Sequence, residues 1–353
     1  MKIAIDCRYL GMSGISRYLS GILTNIDYSM HDYYLIGDRE KIVNLPYKAN
    51  HIYTDHSPFS IRGLFLFPTK QVNKLDAFFT PHFLIPFGLN VPTYSTIHDM
   101  IFFDKKETSH NLIDQLIKKY LVKRSAKKST KIFTISNFSY KRIIHYFPWK
   151  SSDIIITYIG VSQELIDYKI RNSTVKNKQM ICVGNLKSHK GIDKIIRSFK
   201  ELDLDYKLII VGSDNLKNKI KLDINSSKII YSGHVSDQEL FYLIQSSEIL
   251  IQASNYEGFG LPPLEALVLN TKVILSDIEV FKEIYCDYDV LFFELNSIKS
   301  LNKTIIESIK NKDSRDESSK ILNQFNYRNV TDIIIKTFLN GVSNESTDNK
   351  INT

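Results

Sequence analysis

The sequence predicts an α/β protein made of two doubly wound units, each with a parallel sheet covered by helices on both faces. Short, unbroken runs of β-branched and other apolar residues alternate with helical patterns along the chain. Such runs are typical of parallel strands that are buried on both faces. The chain has 353 residues, 43% of them apolar, which is enough for two cores of ordinary size.

Ten strands are predicted, five in each half of the chain. Those of the first half are KIAID, DAFFTP, PTYSTIHD, KIFTIS and DIIITYIG. Those of the second half are QMICVG, YKLIIVG, IIYSG, EILIQAS and KVILSD. A polar, aperiodic stretch from about Val161 to Lys178 separates the two sets and predicts a linker. The predicted domains are therefore 1–165 and 175–327, with a C-terminal helix at about 328–340 packing back on the first domain.

Composition and charge restrict the possible functions. The formal net charge is +8 and the isoelectric point is near 9.0, which favours an anionic partner. No window approaches eighteen uncharged apolar residues, and the N-terminal apolar run is too short for a signal peptide, so a cytoplasmic protein is expected. Three widely spaced cysteines, each beside an apolar run, predict buried thiols. No G-x-G-x-x-G follows the first strand of either half, which argues against a dinucleotide-dependent dehydrogenase.

A basic segment runs from Gln115 to Lys131 and contains no acid. Its seven cations are Lys118, Lys119, Lys123, Arg124, Lys127, Lys128 and Lys131. Apolar residues recur beside them at helical spacing, which predicts an amphipathic helix with a basic face. These apolar residues are Ile113, Leu116, Ile117, Tyr120 and Leu121. The basic face is either a contact with an anionic membrane surface or the solvated face of a core helix.

The segment NYEGFGLPPLEAL, residues 255–267, follows the strand EILIQAS and combines two acids with glycines and a proline pair. Proline suits the first helical turn, so a helix is predicted to start at Pro262 or Pro263, with Glu265 in its first turn. Glu257 would lie in the loop before it. The two carboxylates either accept hydrogen bonds from the hydroxyls of a ligand or are a capping acid and a surface acid.

Glycines at positions 258 and 260 would let the backbone of this loop approach a ligand closely. The amides of Gly258, Phe259 and Gly260 would then point outward at the N-terminus of a helix. Such a position suits the oxygens of a phosphate or a hydroxyl.

This segment resembles the E-x7-E signature of the retaining, nucleotide-sugar-dependent glycosyltransferases of family 4. Other segments resemble the same family: GISRY its amino-terminal turn, STIHDM an acceptor-domain strand, and VGNLKSHKGIDKIIRSF the first turn of its donor domain. The likeness extends over roughly residues 1–338. It implies the GT-B fold, in which two Rossmann-like domains face each other across a cleft. Residues 60–100 are most similar to members that transfer mannose or related deoxyhexoses onto bacterial surface polysaccharides.

The resemblance implies roles for residues of the second domain. Glu265 would hold the ribose hydroxyls of the nucleotide, and Glu257 would lie near the donor sugar. Lys190, with Lys187 as a second candidate, would bind the diphosphate. The amides that share the sugar hydroxyls would be those of Gly258, Phe259, Gly260 and Leu261. After the signature the family commonly reads Gly-x-Pro-Val, whereas this chain has NTKV; Asn270 is predicted to adopt the left-handed conformation that the helix end needs.

Three matches fall in the first domain. His98, in the sequence IHD, matches a histidine that lies against the donor sugar. Gly14 matches the turn that brings the acceptor-domain backbone close to the diphosphate, and Arg17 is a further candidate there.

Together these observations predict a metal-independent retaining hexosyltransferase that needs no cofactor. Mannose from GDP-mannose would pass to a lipid-linked oligosaccharide in O-antigen synthesis. Lys190, backbone amides and a helix N-terminus would stabilise the charge on the leaving diphosphate. The expected partners are the donor, the acceptor and, through Lys118–Lys131, an anionic membrane surface at the inner face of the plasma membrane. No nucleic acid is expected.

Other functions stay open at this point. The transferred sugar could be rhamnose, fucose, glucose, galactose or an N-acetylhexosamine. A GT-B-fold epimerase or hydrolase would act on a nucleotide sugar without an acceptor. A noncatalytic sensor would bind the donor and turn nothing over.

Overall fold

The computed structural model describes residues 1–105, 111–213, 227–311 and 315–351. The chain divides into two compact units, one formed by Met1–Gly160 with Asn326–Thr353 and the other by Val161–Phe325. Each unit is built on one parallel sheet with flanking helices, which confirms the predicted α/β class.

The first unit contains a seven-stranded sheet. Its strands are β1 (Lys2–Asp6), β2 (Asp32–Gly37), β3 (Asn50–Tyr53), β4 (Ala77–Thr80), β5 (Thr93–Thr96), β6 (Lys131–Thr134) and β7 (Ile154–Ile156). Its first helices are α1 (Ser13–Thr24), α2 (Arg39–Ile42), α3 (Ile61–Phe65), α4 (Thr69–Val72), α5 (Ile101–Asp104), α6 (Leu112–Lys128) and α7 (Asn137–Tyr146). The strand order is β3-β2-β1-β4-β5-β6-β7, all parallel. The direction of winding therefore reverses between β1 and β4.

The second unit contains a six-stranded parallel sheet. Its strands are β8 (Asn177–Val183), β9 (Lys207–Val211), β10 (Ile229–Gly233), β11 (Ser247–Gln252), β12 (Lys272–Ser276) and β13 (Val290–Phe293). Its helices are α8 (Gln163–Arg171), α9 (Ile192–Leu202), α10 (Asp237–Ser246), α11 (Leu261–Val268), α12 (Glu279–Tyr285), α13 (Ile298–Lys310) and α14 (Ser318–Gln324). The strand order is β10-β9-β8-β11-β12-β13, so the winding reverses between β8 and β11.

The last helix, α15 (Tyr327–Ile351), returns to the first unit. Phe338 packs against Tyr94 of β5, with ring centroids 4.6 Å apart. A Cβ atom on Gly21 of α1 would lie 2.3 Å from the Tyr327 ring, so the two helices pack closely because residue 21 has no side chain. The C-terminal helix is thus part of the core of the first unit.

All ten predicted strands are present, and β2, β3 and β13 are additional. The stretch predicted as a linker contains α8, whose Leu165 is buried. Cys7 and Cys182 are buried as predicted, whereas Cys286 is exposed, because it follows the end of α12 rather than lying in a strand.

Helix α6 forms in the basic segment, but of the five apolar residues predicted to line it only Leu121 packs against the core, which α6 meets mainly through Val122 and Ala126. Its buried positions are Gln115, Val122, Ser125 and Ala126, while Leu112, Ile113, Leu116, Ile117 and Tyr120 are exposed. Ser125 and Ser129 approach Ser95 of β5, with oxygens 3.0 and 2.7 Å apart. The contact with the sheet therefore combines these serines with the apolar Val122 and Ala126. Over the residues that can be placed, no helix is long and apolar enough to cross a membrane.

Candidate functional site

The strongest candidate site lies at the carboxyl ends of β8 and β11 in the second unit. These strands are neighbours in the sheet although β9 and β10 separate them in sequence. Strand order reverses between these two strands, and ligands of open α/β sheets bind at the carboxyl ends of the strands at such a point. The loop after β8 carries Lys187 and Lys190, and the loop after β11 carries Glu257.

Glu257 and Lys190 form an ion pair at this edge. Lys190 Nζ lies 2.7 Å from Glu257 Oε1, and the two side chains are 21% and 11% exposed. The same oxygen accepts hydrogen bonds from Gln252 Nε2 and Ser254 Oγ, each at 2.7 Å. Burial raises the pKa of Glu257, but the charge and hydrogen bond of Lys190, with the bond from Ser254, outweigh burial and leave the pKa below its ordinary value. Glu257 is therefore ionised at neutral pH and fixed in position.

Two close backbone approaches hold the two loops together. The amide of Asn255 donates to the carbonyl of His189 at 2.8 Å. Gly191 has φ +64°, and a Cβ atom there would lie 2.2 Å from the carbonyl oxygen of Ala253. Only glycine fits at position 191, because any side chain would push the loop after β8 away from the loop that carries Glu257.

Helix α11 begins one residue earlier than predicted, at Leu261, with Pro262 in the second position. Gly260 has φ +100° and supplies the turn before it. Glu265 is consequently the fifth residue of the helix, and the prediction that it lies in the first turn is wrong. Its side chain is in the second turn and is 7% exposed. Asn270, with φ +56°, adopts the predicted left-handed conformation after the helix.

The loop between the two glutamates is anchored by aromatic residues. Phe259 is buried and packs edge-on against Phe325, with centroids 5.5 Å apart. The Tyr285 hydroxyl donates to the Gly260 carbonyl. Burial, followed by the negative charges of Glu265 and Glu257, raises the pKa of Tyr285 well above its ordinary value. Tyr285 therefore keeps its proton and remains a donor to the loop.

Sequence reasoning missed three residues of this arrangement: Gln252, Ser254 and Tyr285. Gln252 could have been identified from the sequence, because it is a polar residue that directly follows the apolar run Ile249–Ile251. Tyr285 gave no such signal, since an aromatic residue in an apolar helix is most often core. Of the predicted residues, Lys190, Glu257 and the loop 258–261 come together here. Lys187 lies on the same turn as Lys190 and is exposed.

The remaining predicted residues lie in the first unit. His98 follows β5, and its Nε2 lies 2.8 Å from the carbonyl oxygen of Pro81. Its ring packs edge-on against Tyr18 of α1, the helix that also carries Gly14 and Arg17. Burial lowers the pKa of His98 to about 4, so the ring is neutral at physiological pH. Because a carbonyl only accepts, Nε2 carries the proton and Nδ1 is an acceptor.

Gly14 lies in the first turn of α1, where a Cβ atom would meet nothing within 4 Å, and Arg17 follows one turn later, half-buried. Among the residues with assigned positions, no group of three or more His, Cys, Asp or Glu side chains could hold a metal ion.

Residues 166–324 match the profile of a protein family described as glycosyl transferases group 1. The second unit is a glycosyl transferases group 1 domain. The matched range includes both loops of the site and helix α11. The chain is thus a glycosyltransferase, and its Glu257–Lys190 pair lies within the family's domain.

Two relatives place this glycosyltransferase near O-antigen mannosyltransferases. It is 25% identical over 279 residues to O-antigen chain mannosyltransferase B of Escherichia coli, covering 73% of this chain and 72% of the relative. It is 30% identical over 210 residues to O-antigen chain mannosyltransferase RfbU of Salmonella typhimurium, covering 58% of this chain and 57% of the relative. The second match therefore spans less than two thirds of either chain.

Solved structures confirm the GT-B fold of the glycosyltransferase. A glycosyltransferase from Rickettsia africae superposes with a TM-score of 0.72 at 17% identity, covering 97% of this chain and 99% of the other. Anabaena HepE, in complex with UDP and glucose, superposes with a TM-score of 0.71 at 14% identity, covering 96% of this chain and 100% of HepE. At these identities the likeness concerns the fold alone.

Proposed function

We propose that this glycosyltransferase is a retaining enzyme that transfers mannose from GDP-mannose to a lipid-linked oligosaccharide in O-antigen synthesis. The observation that carries the proposal is the ionised, fixed Glu257 beside Lys190 at the point where strand order reverses. The two mannosyltransferase relatives support the choice of sugar. The UDP and glucose held by Anabaena HepE support a nucleotide-linked donor.

Each residue of the site then has a separable task. Glu265 holds the ribose hydroxyls of the donor. The described hydrogen bonds to Glu257 all reach Oε1, and Oε2 accepts a hydroxyl of the donor sugar. Lys190 lies beside this carboxylate and provides positive charge for the diphosphate. The amides of residues 258–261 bind the remaining sugar hydroxyls. In the first unit, the neutral ring of His98 offers Nδ1 as a hydrogen-bond acceptor for a hydroxyl.

During transfer, the bond between the anomeric carbon and the diphosphate oxygen breaks, and its electron pair stays on that oxygen. The acceptor hydroxyl forms the new bond on the same face of the sugar, and its proton passes to the departing diphosphate. Lys190, loop amides and the N-terminus of α11 stabilise the charge that develops there. No metal, cofactor or protein general base is needed in this scheme.

A panel of nucleotide sugars tests the donor assignment directly. A ligand at a hundred times its dissociation constant stabilises a protein by about 2.7 kcal/mol, so a true donor raises the melting temperature measurably. GDP-mannose should give the largest increase. A larger increase with another nucleotide sugar would replace mannose by that sugar. If no nucleotide sugar stabilises the protein, the proposed function fails.

The lipid-linked acceptor has a consequence for location. A chain that acts on a lipid-linked substrate works at a bilayer surface, which here would be the cytoplasmic face of the plasma membrane. Peripheral attachment to that surface is part of the proposal.

A further inference from the structure

Helix α6 exposes an apolar stripe that belongs to no core in the described structure. The stripe consists of Leu112 (75% exposed), Ile113 (69%), Leu116 (66%), Ile117 (52%) and Tyr120 (58%). These positions recur at three and four residues, so they occupy one side of the helix. Single exposed apolar residues are ordinary, but a contiguous stripe marks an interaction surface.

The same side of the helix becomes basic towards its C-terminus. Lys123, Lys127 and Lys128 are exposed, and no ion pair involving them is found within the described residues. Lys118 pairs with Asp114 at 2.7 Å, Lys131 pairs with Asp153 at 2.9 Å, and Lys119 Nζ lies 5.3 Å from the centre of the Phe103 ring. Three lysines are thus available to an external anion.

Arg124 connects this side of α6 to a second apolar surface. Its guanidinium donates to the carbonyls of Ile85 and Pro86 and lies 3.9 Å from the centre of the Phe87 ring. Phe87 stacks on Phe65 of α3, with centroids 4.5 Å apart. Phe65 and the following Leu66 are 60% and 58% exposed. Arg124 is therefore a structural cation that joins two exposed apolar surfaces. An open surface groove of about 500 Å³ lies beside it, lined by Tyr120, Lys123, Arg124, Lys127 and Lys128.

We propose that this docking face, formed by Leu112, Ile113, Leu116, Ile117, Tyr120, Lys123, Lys127 and Lys128, binds the surface of an anionic bilayer. The apolar half enters the boundary between headgroups and acyl chains. The lysines that line the groove bind lipid phosphates. Buried apolar area and cations near an anionic leaflet both strengthen binding at a membrane interface.

Charge selects a bilayer as the occupant over a second copy of this chain. A symmetric dimer through α6 would bring the lysines of two copies together, in a protein whose formal net charge is already +8. An anionic leaflet offers phosphates to the lysines and acyl chains to the apolar stripe at once. The proposal deepens the proposed function and rests on it, because a lipid-linked acceptor requires such a surface.

Co-sedimentation with vesicles tests the two halves of the docking face separately. The vesicles contain equal amounts of phosphatidylglycerol and phosphatidylethanolamine, with phosphatidylcholine vesicles for comparison. Replacing three lysines by glutamine should weaken binding at low salt about 100-fold, since each cation near an anionic surface contributes roughly 1 kcal/mol. The test variant carries K123Q, K127Q and K128Q. Its matched control carries K207Q, K299Q and K303Q, which remove the same charge from exposed positions of the second unit and should change binding less than about threefold.

Substitutions in the apolar half measure insertion. The variant with I113Q, L116Q and I117Q should bind at least about tenfold more weakly and should lose the binding that persists at high salt, which depends on buried apolar area. Its control carries I170Q and V175Q, at positions 77% and 85% exposed in the second unit. That control should bind as the unmodified protein does.

A depth probe separates insertion from adhesion. The sequence has one tryptophan, Trp149, so the double variant W149F/I117W places a single fluorophore on the stripe. Lipids brominated along the acyl chain should quench it.

The proposal is overturned if the protein ignores anionic vesicles, if both test variants bind as their controls do, or if the fluorescence of the W149F/I117W variant is not quenched. It is also overturned if the unmodified protein dimerises without lipid and the I113Q/L116Q/I117Q variant is monomeric. None of these measurements uses a nucleotide sugar. If the protein binds vesicles but no nucleotide sugar stabilises it, the docking face stands and the proposed function fails. If a nucleotide sugar stabilises the protein but anionic vesicles do not bind it, the docking face fails and the proposed function stands.

Discussion

The two sheets place different chemistry at equivalent positions. In the second unit, the edge where strand order reverses holds an ionised carboxylate, Glu257, bonded to Lys190, Gln252 and Ser254. In the first unit, the corresponding edge holds the ion pair Asp6–Arg8, whose side chains are 0% and 2% exposed, and two histidines, His82 and His98, whose pKa values burial lowers. His82 Nδ1 is buried and has no hydrogen-bond partner among the described residues.

This difference shows how one topology supports two binding tasks. A carboxylate and an ammonium group arranged in advance suit a ligand whose charge changes during reaction. Neutral imidazoles suit hydroxyls, since they offer an acceptor without attracting a counterion. At these two edges, the ion pair of the second unit is partly exposed, whereas that of the first unit is fully buried and the histidines beside it are neutral.

The largest effect should come from breaking the ion pair on one side only. Lys190→Met leaves the largely buried Glu257 carboxylate without its opposite charge and should lower the free energy of unfolding by about 2 to 4 kcal/mol. Adding Glu257→Gln should restore part of that loss. Urea unfolding measures both. Lys178→Met is the matched control. Lys178 pairs with Asp205 at 3.0 Å, but the two side chains are 66% and 92% exposed. This substitution should lower the free energy of unfolding by less than about 1 kcal/mol. Equal losses from the two substitutions would contradict the account.

A second prediction concerns the close approach of the two loops. Gly191→Ala forces a Cβ atom to within 2.2 Å of the Ala253 carbonyl and should reduce stability by at least about 2 kcal/mol more than its control. The control is Gly233→Ala, because Gly233 also has positive φ, +69°, but nothing lies within 4 Å of an added Cβ. Only the conformational cost of about 1 kcal/mol should appear there. If the two variants lose the same stability, the loops are not held by this contact.

The two glutamates should differ in kinetics. Glu265→Gln should raise the donor KM about 10- to 100-fold with kcat less affected, because ribose contacts are the same before and during bond breaking. Glu257→Gln should lower kcat at least about tenfold while nucleoside diphosphate still binds normally. Steady-state kinetics and calorimetric titration measure these quantities. Loss of nucleoside diphosphate affinity in Glu257→Gln, with affinity kept in Glu265→Gln, would reverse the roles.

The smallest predicted effect tests whether the His98 ring of the first unit is neutral. The pKa of His98 falls from 6.5 to about 4 on folding, so between those values the unfolded chain binds a proton that the folded chain does not. Stability is full above pH 6.5 and falls towards pH 4. His98→Gln should make that fall shallower by up to about 1.4 kcal/mol per pH unit. An unchanged slope in His98→Gln would mean that the ring is charged in the fold.

The sequence predicted ten strands because each carries a dense apolar run. It did not predict β3, since only Ile52 of its four residues is buried at that sheet edge. Strand β13 is also an edge strand, with only Phe293 buried. Such strands need too few apolar side chains to give a pattern.

The features of the site that depend on residues close together in the sequence were predicted, and those that depend on strand order were not. Glycine and proline located the turn before α11, to within a residue. The pairing of Lys190 with Glu257 depends on β8 and β11 being neighbours, which spacing along the chain cannot show. In α6, helical spacing identified one side of the helix but not which side meets the sheet. The side that meets the sheet carries Val122 and Ala126, together with Ser125, which contacts Ser95.

The ratio of sugar transferred to nucleoside diphosphate released tests the central claim most directly. The reaction contains GDP-mannose, a lipid-linked oligosaccharide and excess EDTA, with the hexose on the lipid followed by mass spectrometry and GDP by chromatography. The account predicts one hexose transferred for each GDP released, at a rate within about twofold of that without EDTA, since amides and Lys190 supply the electrostatic stabilisation. Release of GDP without transfer would identify a hydrolase, and binding without release a sensor. Activity abolished by EDTA and restored by manganese would contradict the metal-free site.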